Sequence, residues 1–161
     1  RDVAPSRGLG DVYKRQDLYS RKIISWVLSE TLEASHVVEC VEKAKRIRNV
    51  EKPLIFHCDR GCQYVSEAFQ KATKGMIHSY SKKAYPWDNA CIESFHALLK
   101  REWINRFKIF NYAHAHKLIF EYIETFYNTV RIHSHCGYLS PNEYEEQYLE
   151  NIEENAIKIA S

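Results

Sequence analysis

The stretch Leu54-Ile55-Phe56-His57-Cys58-Asp59-Arg60-Gly61 constrains the fold more than any other part of this 161-residue chain. Pro53 introduces the apolar run and Gly61 closes the segment, the mark of a short buried strand feeding a loop. Asp59 sits where that strand would emerge. A buried carboxylate is costly unless it is paired, hydrogen-bonded or holding a metal. In open α/β sheets, ligands gather at the carboxyl ends of strands. A second acidic position follows in Asp88-Asn89-Ala90-Cys91-Ile92-Glu93-Ser94, with 33 residues between Asp59 and Glu93. Glu93 falls near the start of an amphipathic helix. A strand-end Asp facing a helix Glu can hold a hard cation such as Mg²⁺, which takes oxygen ligands, commonly one or two carboxylates plus substrate phosphates. Taken singly, each residue has an ordinary role: a turn former for Asp59, a first-turn helix acid for Glu93.

Around this segment the chain reads as strands crossed by helices. Residues 22–29, with Ile23, Ile24, Trp26, Val27 and Leu28, predict a strand. Ser35 predicts the cap of a helix over residues 36–48, with Val37, Val38, Val41 and Ala44 at helical spacing and Lys43, Lys45, Arg46 and Arg48 towards solvent. Residues 54–58 predict the next strand. Ser66 predicts the cap of a short helix stopped by Gly75, and residues 76–81 predict another short strand. A basic, aromatic loop covers residues 81–87. Long helices are predicted over residues 89–106 and 112–129, the second with Ala115, Leu118, Ile119, Tyr122, Ile123 and Phe126 as its apolar stripe. Ser140-Pro141 opens a last short helix, and residues 149–161 form an acidic tail. This alternation defines an α/β class. Residues 1–16 show no helical period and only brief alternation, and are read as a non-native or disordered leader. The core then spans residues 17–148.

The apolar fraction of 45% and charged fraction of 27% are those of an ordinary globular domain. No apolar run approaches the roughly 20 residues of a membrane span, and no secretory signal is visible. Five cysteines without paired spacing point to reduced thiols and a cytoplasmic setting. The net charge of +2 hides an asymmetry. Residues 142–161 hold six acids and one base, whereas the preceding part holds 22 basic and 15 acidic residues, a balance suited to a phosphate-rich partner.

Three motifs carry a family resemblance. His57-Cys58-Asp59-Arg60-Gly61-Cys62-Gln63-Tyr64 resembles the second-aspartate motif of insertion-element transposases with a retroviral-integrase-type core. Asp88-Asn89-Ala90-x-x-Glu93-Ser94-Phe95, with Leu99-Lys100-Arg101-Glu102, resembles their glutamate motif. Asn128-x-x-Arg131-x-His133, followed by Pro141, resembles their closing motif. The resemblance covers residues 17–148, with a spacing between Asp59 and Glu93 slightly shorter than the family's usual one. It implies a ribonuclease H-like mixed sheet with flanking helices, and an Asp, Asp, Glu catalytic set. Asp17-Leu18-Tyr19-Ser20-Arg21 matches the segment after the strand that carries the family's first Asp. The implied expectation is that this strand and its Asp are missing, that the sheet has an open slot beside the strand ending at Asp59, and that Asp17 is a turn residue.

The resemblance further implies metal-dependent phosphoryl transfer on DNA. Asp59 and Glu93 would be the catalytic and metal-binding residues, with two Mg²⁺ (or Mn²⁺) ions in the intact parent enzyme. Their carboxylates are expected within about 4 to 8 Å of each other, given Mg²⁺–oxygen bonds near 2.1 Å. Element ends and target DNA are the implied partners, the intact enzyme is a homo-oligomer, and the chain with two of three carboxylates is inactive alone.

The remaining features have competing readings. Cys58, Cys62, His57, His133 and His135 invite zinc, but only one loose cysteine pair exists, so buried or loop thiols are favoured. Lys100 lies two turns after Glu93 and reaches either a phosphate or solvent. Lys82 and Lys83, interleaved with Tyr85 and Trp87, suit phosphate contact and base stacking. Arg131 and His133 either bind DNA or lock the chain turn by hydrogen bonds. Three functions fit: a transposase core, another nuclease on the same fold, and a non-enzymatic DNA-binding remnant. The closing motif argues for the first over the second.

Overall fold

The computed structural model describes residues 10–31, 33–49, 53–58, 64, 66–82 and 90–160, residues 92, 159 and 160 by their backbone alone. Its first element is a strand, β1 (Asp11–Gln16), paired antiparallel with β2 (Ile23–Ser29), Asp11 lying opposite Ser29 and Arg15 opposite Ser25. Asp17 makes the turn between them. Its Oδ1 accepts the backbone N–H groups of Tyr19 at 2.8 Å and Ser20 at 3.0 Å, the local bonding that fits Asp to turns. The expected turn role of Asp17 is therefore observed. The expected leader is corrected: residues 11–16 are part of the fold. Gly10 precedes the strand at φ +95°, where a Cβ would meet the Ser29 carbonyl oxygen at 2.2 Å.

The sequence pattern hides this strand because of what it buries. Strands covered on both faces normally read as apolar runs. Val12 packs into one core and Tyr13 into another, on opposite faces. Lys14 and Arg15 follow in the same alternation. Lys14 is buried with its Nζ 4.7 Å above the Phe95 ring. The Arg15 guanidinium lies 5.1 Å from the Phe56 ring and 5.6 Å from that of Tyr64. Their long aliphatic stems do the packing that apolar residues would do.

Helix α1 (Ala34–Arg48) packs on β2 through Val37, Cys40 and Val41 and ends at Asn49 in a left-handed conformation. Its N-cap is Glu33, not Ser35; the Ser35 hydroxyl instead donates to Glu33 Oε2 at 3.2 Å. Strand β3 (Ile55–Cys58) pairs in parallel with β4 (Ile77–Tyr80), and α2 (Glu67–Ala72) forms part of the connection. As expected, Ser66 caps α2, accepting the Phe69 N–H at 3.3 Å. Phe56, Tyr64 and Phe69 stack edge to face beneath this pair and join Val37 and Val41 in one core.

The second core lies on the opposite face of β1 and β2. There α3 (Ala90–Glu102) and α4 (Tyr112–Phe120) deliver Phe95, Leu99 and Ile119 against Val12, Ile23 and Leu28. The β1–β2 pair is thus a layer between two helical layers, an α/β arrangement. The ribonuclease H-like expectation is met in class, with a difference in the sheet. The described strands form two separate two-stranded sheets, β1–β2 and β3–β4. No described strand joins the two pairs, and the expectation of a vacant strand position falls on residues outside the described ones.

Both long helices are shorter than their apolar patterns. α3 stops at Glu102, and a 3₁₀ turn covers Ile104–Arg106. α4 is capped by Asn111, whose Oδ1 accepts the His114 N–H at 2.9 Å, and passes at Glu121–Tyr127 into a π-helical segment. Bonding from residue i to i+5 brings Tyr122, Ile123 and Tyr127 to one buried face. The last helix, α5 (Pro141–Ala160), opens on a capping box: Glu143 Oε2 accepts the Ser140 N–H at 2.8 Å, and Ser140 Oγ accepts the Glu143 N–H. It is not short, and the expected acidic tail from residue 149 is corrected to a continuation of this helix. No described helix is long and apolar enough to cross a membrane.

Candidate metal and nucleic-acid site

Glu93 stands in the first turn of α3, exposed to solvent and in no ion pair among the described residues. An exposed, uncompensated carboxylate is free to meet a cation. Asp59 follows Cys58, the last residue of β3; Asp59, Cys62 and Lys83 lie outside the described residues, and so does the expected separation of Asp59 from Glu93. The end of β3 is bonded to the end of β4 and the residue after it. His57 Nδ1 is 2.9 Å from Ser79 Oγ and its Nε2 is 3.1 Å from Ser81 Oγ, while the Ser81 N–H donates to the Cys58 carbonyl at 3.0 Å. Both ring nitrogens of His57 are thereby engaged. Among the described residues no three His, Cys, Asp or Glu side chains gather around a point.

Lys100 follows Glu93 at two helical turns on the same face and is half-buried. Lys82 is exposed just after β4. His96, one turn after Glu93, is buried, and neither ring nitrogen has a hydrogen-bond partner among the described residues. Burial, followed by the charges of Lys14 and Lys100, lowers its pKa to about 3.

The closing motif forms a clamp. Asn128 Oδ1 accepts the Ile23 N–H at 2.9 Å, and its Nδ2 donates to the Ile23 carbonyl at 3.0 Å, which pins the start of β2. The Asn128 carbonyl accepts the Asn142 N–H at 3.0 Å and ties in α5. Arg131 forms a bidentate pair with Glu102, Nε to Oε2 at 2.8 Å and Nη2 to Oε1 at 2.9 Å, and Tyr122 donates its hydroxyl to the same carboxylate at 3.0 Å. These bonds hold the Glu102 carboxyl below its usual range. His133 lies edge-on to Tyr127, and burial, then Arg131 and Arg21, bring its pKa down to about 4. Arg131 thus has a locking role in the turn, one of the two roles open to it from sequence.

Arg21 is the residue that sequence reasoning missed. It is non-glycine at φ +64°, held by a bond from Gln16 Nε2 to its carbonyl at 2.7 Å. Its guanidinium donates to the Cys91 thiol and to His135 Nδ1 at 3.4 Å. It enters a cavity of about 460 Å³ whose lining includes Ser94, Arg131, His133 and Ser134 but, among the described residues, no Asp or Glu. The only sequence signal was its place directly after the Asp17 turn.

The described chain thus has a strand layer between helices, with the uncompensated acid Glu93 in the first turn of α3. Residues 12–86 and 74–141 match two descriptions of the integrase core domain. The chain belongs to the integrase core domain family, in the form found in insertion-sequence transposases. It is 41% identical over 132 residues to the transposase for insertion sequence element IS904 of Lactococcus lactis, covering 81% of this chain and 52% of that protein. It is 37% identical over 135 residues to transposase InsF for insertion sequence IS3A of Escherichia coli, covering 83% of this chain and 47% of that protein. The chain spans about half the length of the curated relatives it matches.

Proposed function

We propose that the chain is catalytic-core material of an insertion-sequence transposase that acts on DNA by metal-dependent phosphoryl transfer. The observation that carries this reading is Glu93, exposed and uncompensated in the first turn of α3, within a chain that matches the integrase core over residues 12–141. Asp59 and Glu93 would hold Mg²⁺ or Mn²⁺ through hard oxygen donors. Such ions polarise a phosphate and lower the pKa of a bound water or 3′-hydroxyl. The protein's own part is placement: β3 sets the position that Asp59 follows, and α3 carries Glu93. Lys82, Lys83 and Lys100 would meet the DNA backbone, with Arg131 and His133 contributing from the closing motif. Element ends and target DNA are the partners, the setting is cytoplasmic, and the intact enzyme is a homo-oligomer.

Two assigned carboxylates fall short of the three needed to fix two ions, so the isolated chain is expected to bind Mn²⁺ weakly and to leave DNA uncut. Electron paramagnetic resonance of added Mn²⁺ tests the site, with nicking of labelled insertion-element ends run in parallel. Weak binding lost in both Asp59→Asn and Glu93→Gln is the expected result. Binding unchanged in both variants refutes the assignment.

A further inference from the structure

We infer that the cavity between the β1–β2 turn, α3 and the turn at Ser134–Cys136 is an anion site that seats one phosphate of a nucleic-acid backbone. The nucleic-acid part of this assignment rests on the proposed transposase reading. The anion part rests on the geometry alone.

The first argument is charge. The cavity lining contains Arg21, Arg131, His133 and His135 and, among the described residues, no acidic residue. Arg131 is neutralised by Glu102, which holds it from behind through the bidentate pair. Arg21 has no carboxylate within ion-pair distance among the described residues. Two described acids near this turn are committed elsewhere, Glu145 to Lys22, Arg48 and Ser20, and Asp17 to Arg48 and its own turn. A guanidinium whose partners are a thiol and an imidazole has charge and fork geometry left for an oxyanion.

The second argument is positioning. Arg21 is held at positive φ, a conformation costly for a side chain with a Cβ and characteristic of functional sites. His135 Nε2 is 3.2 Å from the Tyr19 carbonyl, so that nitrogen carries the proton and Nδ1 is left to accept from Arg21 Nη2. His135 is therefore a positioning residue, and aims Arg21 into the cavity. Ser94 and Ser134 contribute hydroxyl groups to the same lining, neither bonded among the described residues.

The third argument is location. The α3 residues on the cavity wall are Ala90, Cys91, Ser94 and Leu98, a single helical face. Ser94 is the immediate neighbour of Glu93, so the wall turns about 100° around the helix from the acid. A phosphate held by Arg21 would lie to one side of Glu93 on a strand running across the start of α3. That is a positioning contact on the backbone, without base readout.

Nuclear magnetic resonance of the full chain tests the site with inorganic phosphate alone. Phosphate is expected to shift the imidazole signals of His133 and His135 with a dissociation constant in the millimolar range, and Arg21→Gln is expected to abolish the shifts while Arg21→Lys retains them in part. Binding of a short labelled duplex forms the second arm. Arg21→Gln should weaken it about tenfold at low salt, and reduce the log–log salt slope by about one unit. No histidine shift in the wild-type chain overturns the anion site whatever the variants do. So do unchanged shifts in Arg21→Gln protein that still melts cooperatively. Either result leaves the transposase reading standing if the duplex binds. Phosphate shifts without any duplex binding support the anion site and overturn its nucleic-acid assignment.

Discussion

Replacing Asn128 with alanine tests the clamp that joins the closing motif to the sheet. Asn128 is 3% exposed and meets both backbone groups of Ile23, the buried first residue of β2. Alanine keeps the backbone bonds of residue 128 to Ile123 and Asn142 but leaves the Ile23 N–H and C=O without this partner. An unsatisfied buried group costs about 1–3 kcal/mol, so the pair is expected to cost about 3 kcal/mol in all. At about 2–4 °C per kcal/mol for a chain of this size, the midpoint should fall by about 6–12 °C. Asn128→Asp sharpens the test. Its carboxylate can accept from the Ile23 N–H but faces the Ile23 carbonyl, so its own pKa is raised in the fold. The variant should be destabilised at pH 7 and recover on acidification, once a protonated carboxyl can donate. Thermal melting by circular dichroism from pH 4 to 7 is the assay, with exposed Thr129→Ala as the control. A shift below about 2 °C for Asn128→Ala, equivalent to less than about 1 kcal/mol, refutes the clamp.

Glu102→Gln removes the partner of half-buried Arg131; buried pairs lose 3–5 kcal/mol when broken, and side-chain exposures of 22% and 19% reduce the expected cost to about 2 kcal/mol. Because the Glu102 carboxyl is held below its ordinary 4.5, its contribution is present above that value and lost as pH falls through the depressed folded one, so the variant's melting curve should be flatter there than the parent's. His96 keeps its neutral form down to about 3 instead of 6.5, so between those values protons favour the unfolded chain and stability falls with pH. His96→Leu should flatten that slope by up to about 1.4 kcal/mol per pH unit, measured by urea titration at several pH values. Arg15→Leu replaces a guanidinium whose Nε and Nη2 are buried without hydrogen-bond partners among the described residues. It should stabilise by about 1 kcal/mol in the same urea titrations, and any loss of stability would show that the stacking on Phe56 and Tyr64 outweighs desolvation.

Elements whose burial agrees with their periodicity were legible in the sequence. β2, α1, β3, α2 and β4 were each found within a few residues, and Asp17 was placed correctly in its turn. β1 was not, because Lys14 and Arg15 stand at positions where a strand covered on both faces shows apolar residues. The change from α to π bonding after Phe120 was invisible for a related reason. Tyr122, Ile123 and Phe126 fit an α-helical stripe as well as they fit the wider turn, and only Tyr127 separates the two. At the candidate site, the motif singled out Glu93, whose role is proposed, and hydrogen bonding locks Arg131 in place. Arg21 carried no such mark, since the inference about it rests on a backbone conformation and on the lack of an ion-pair partner among the described residues.

The separation of the strands into two pairs has a consequence for motion. A two-stranded sheet is marginal by itself and depends on what packs against it. β1–β2 has helices on both faces, whereas Ile55 and Ile77, directly opposite each other on β3 and β4, are 67% and 56% exposed. The β3–β4 pair is therefore the unit expected to open first, and its amides should exchange with deuterium sooner than those of β2 or α4. The residue that follows β3 is Asp59. A cation bridging Asp59 to Glu93 would tie this loosest unit to a helix rooted in the opposite core, and the slowing of exchange at Ile55–Cys58 on adding Mn²⁺ or Mg²⁺ would report that coupling one amide at a time.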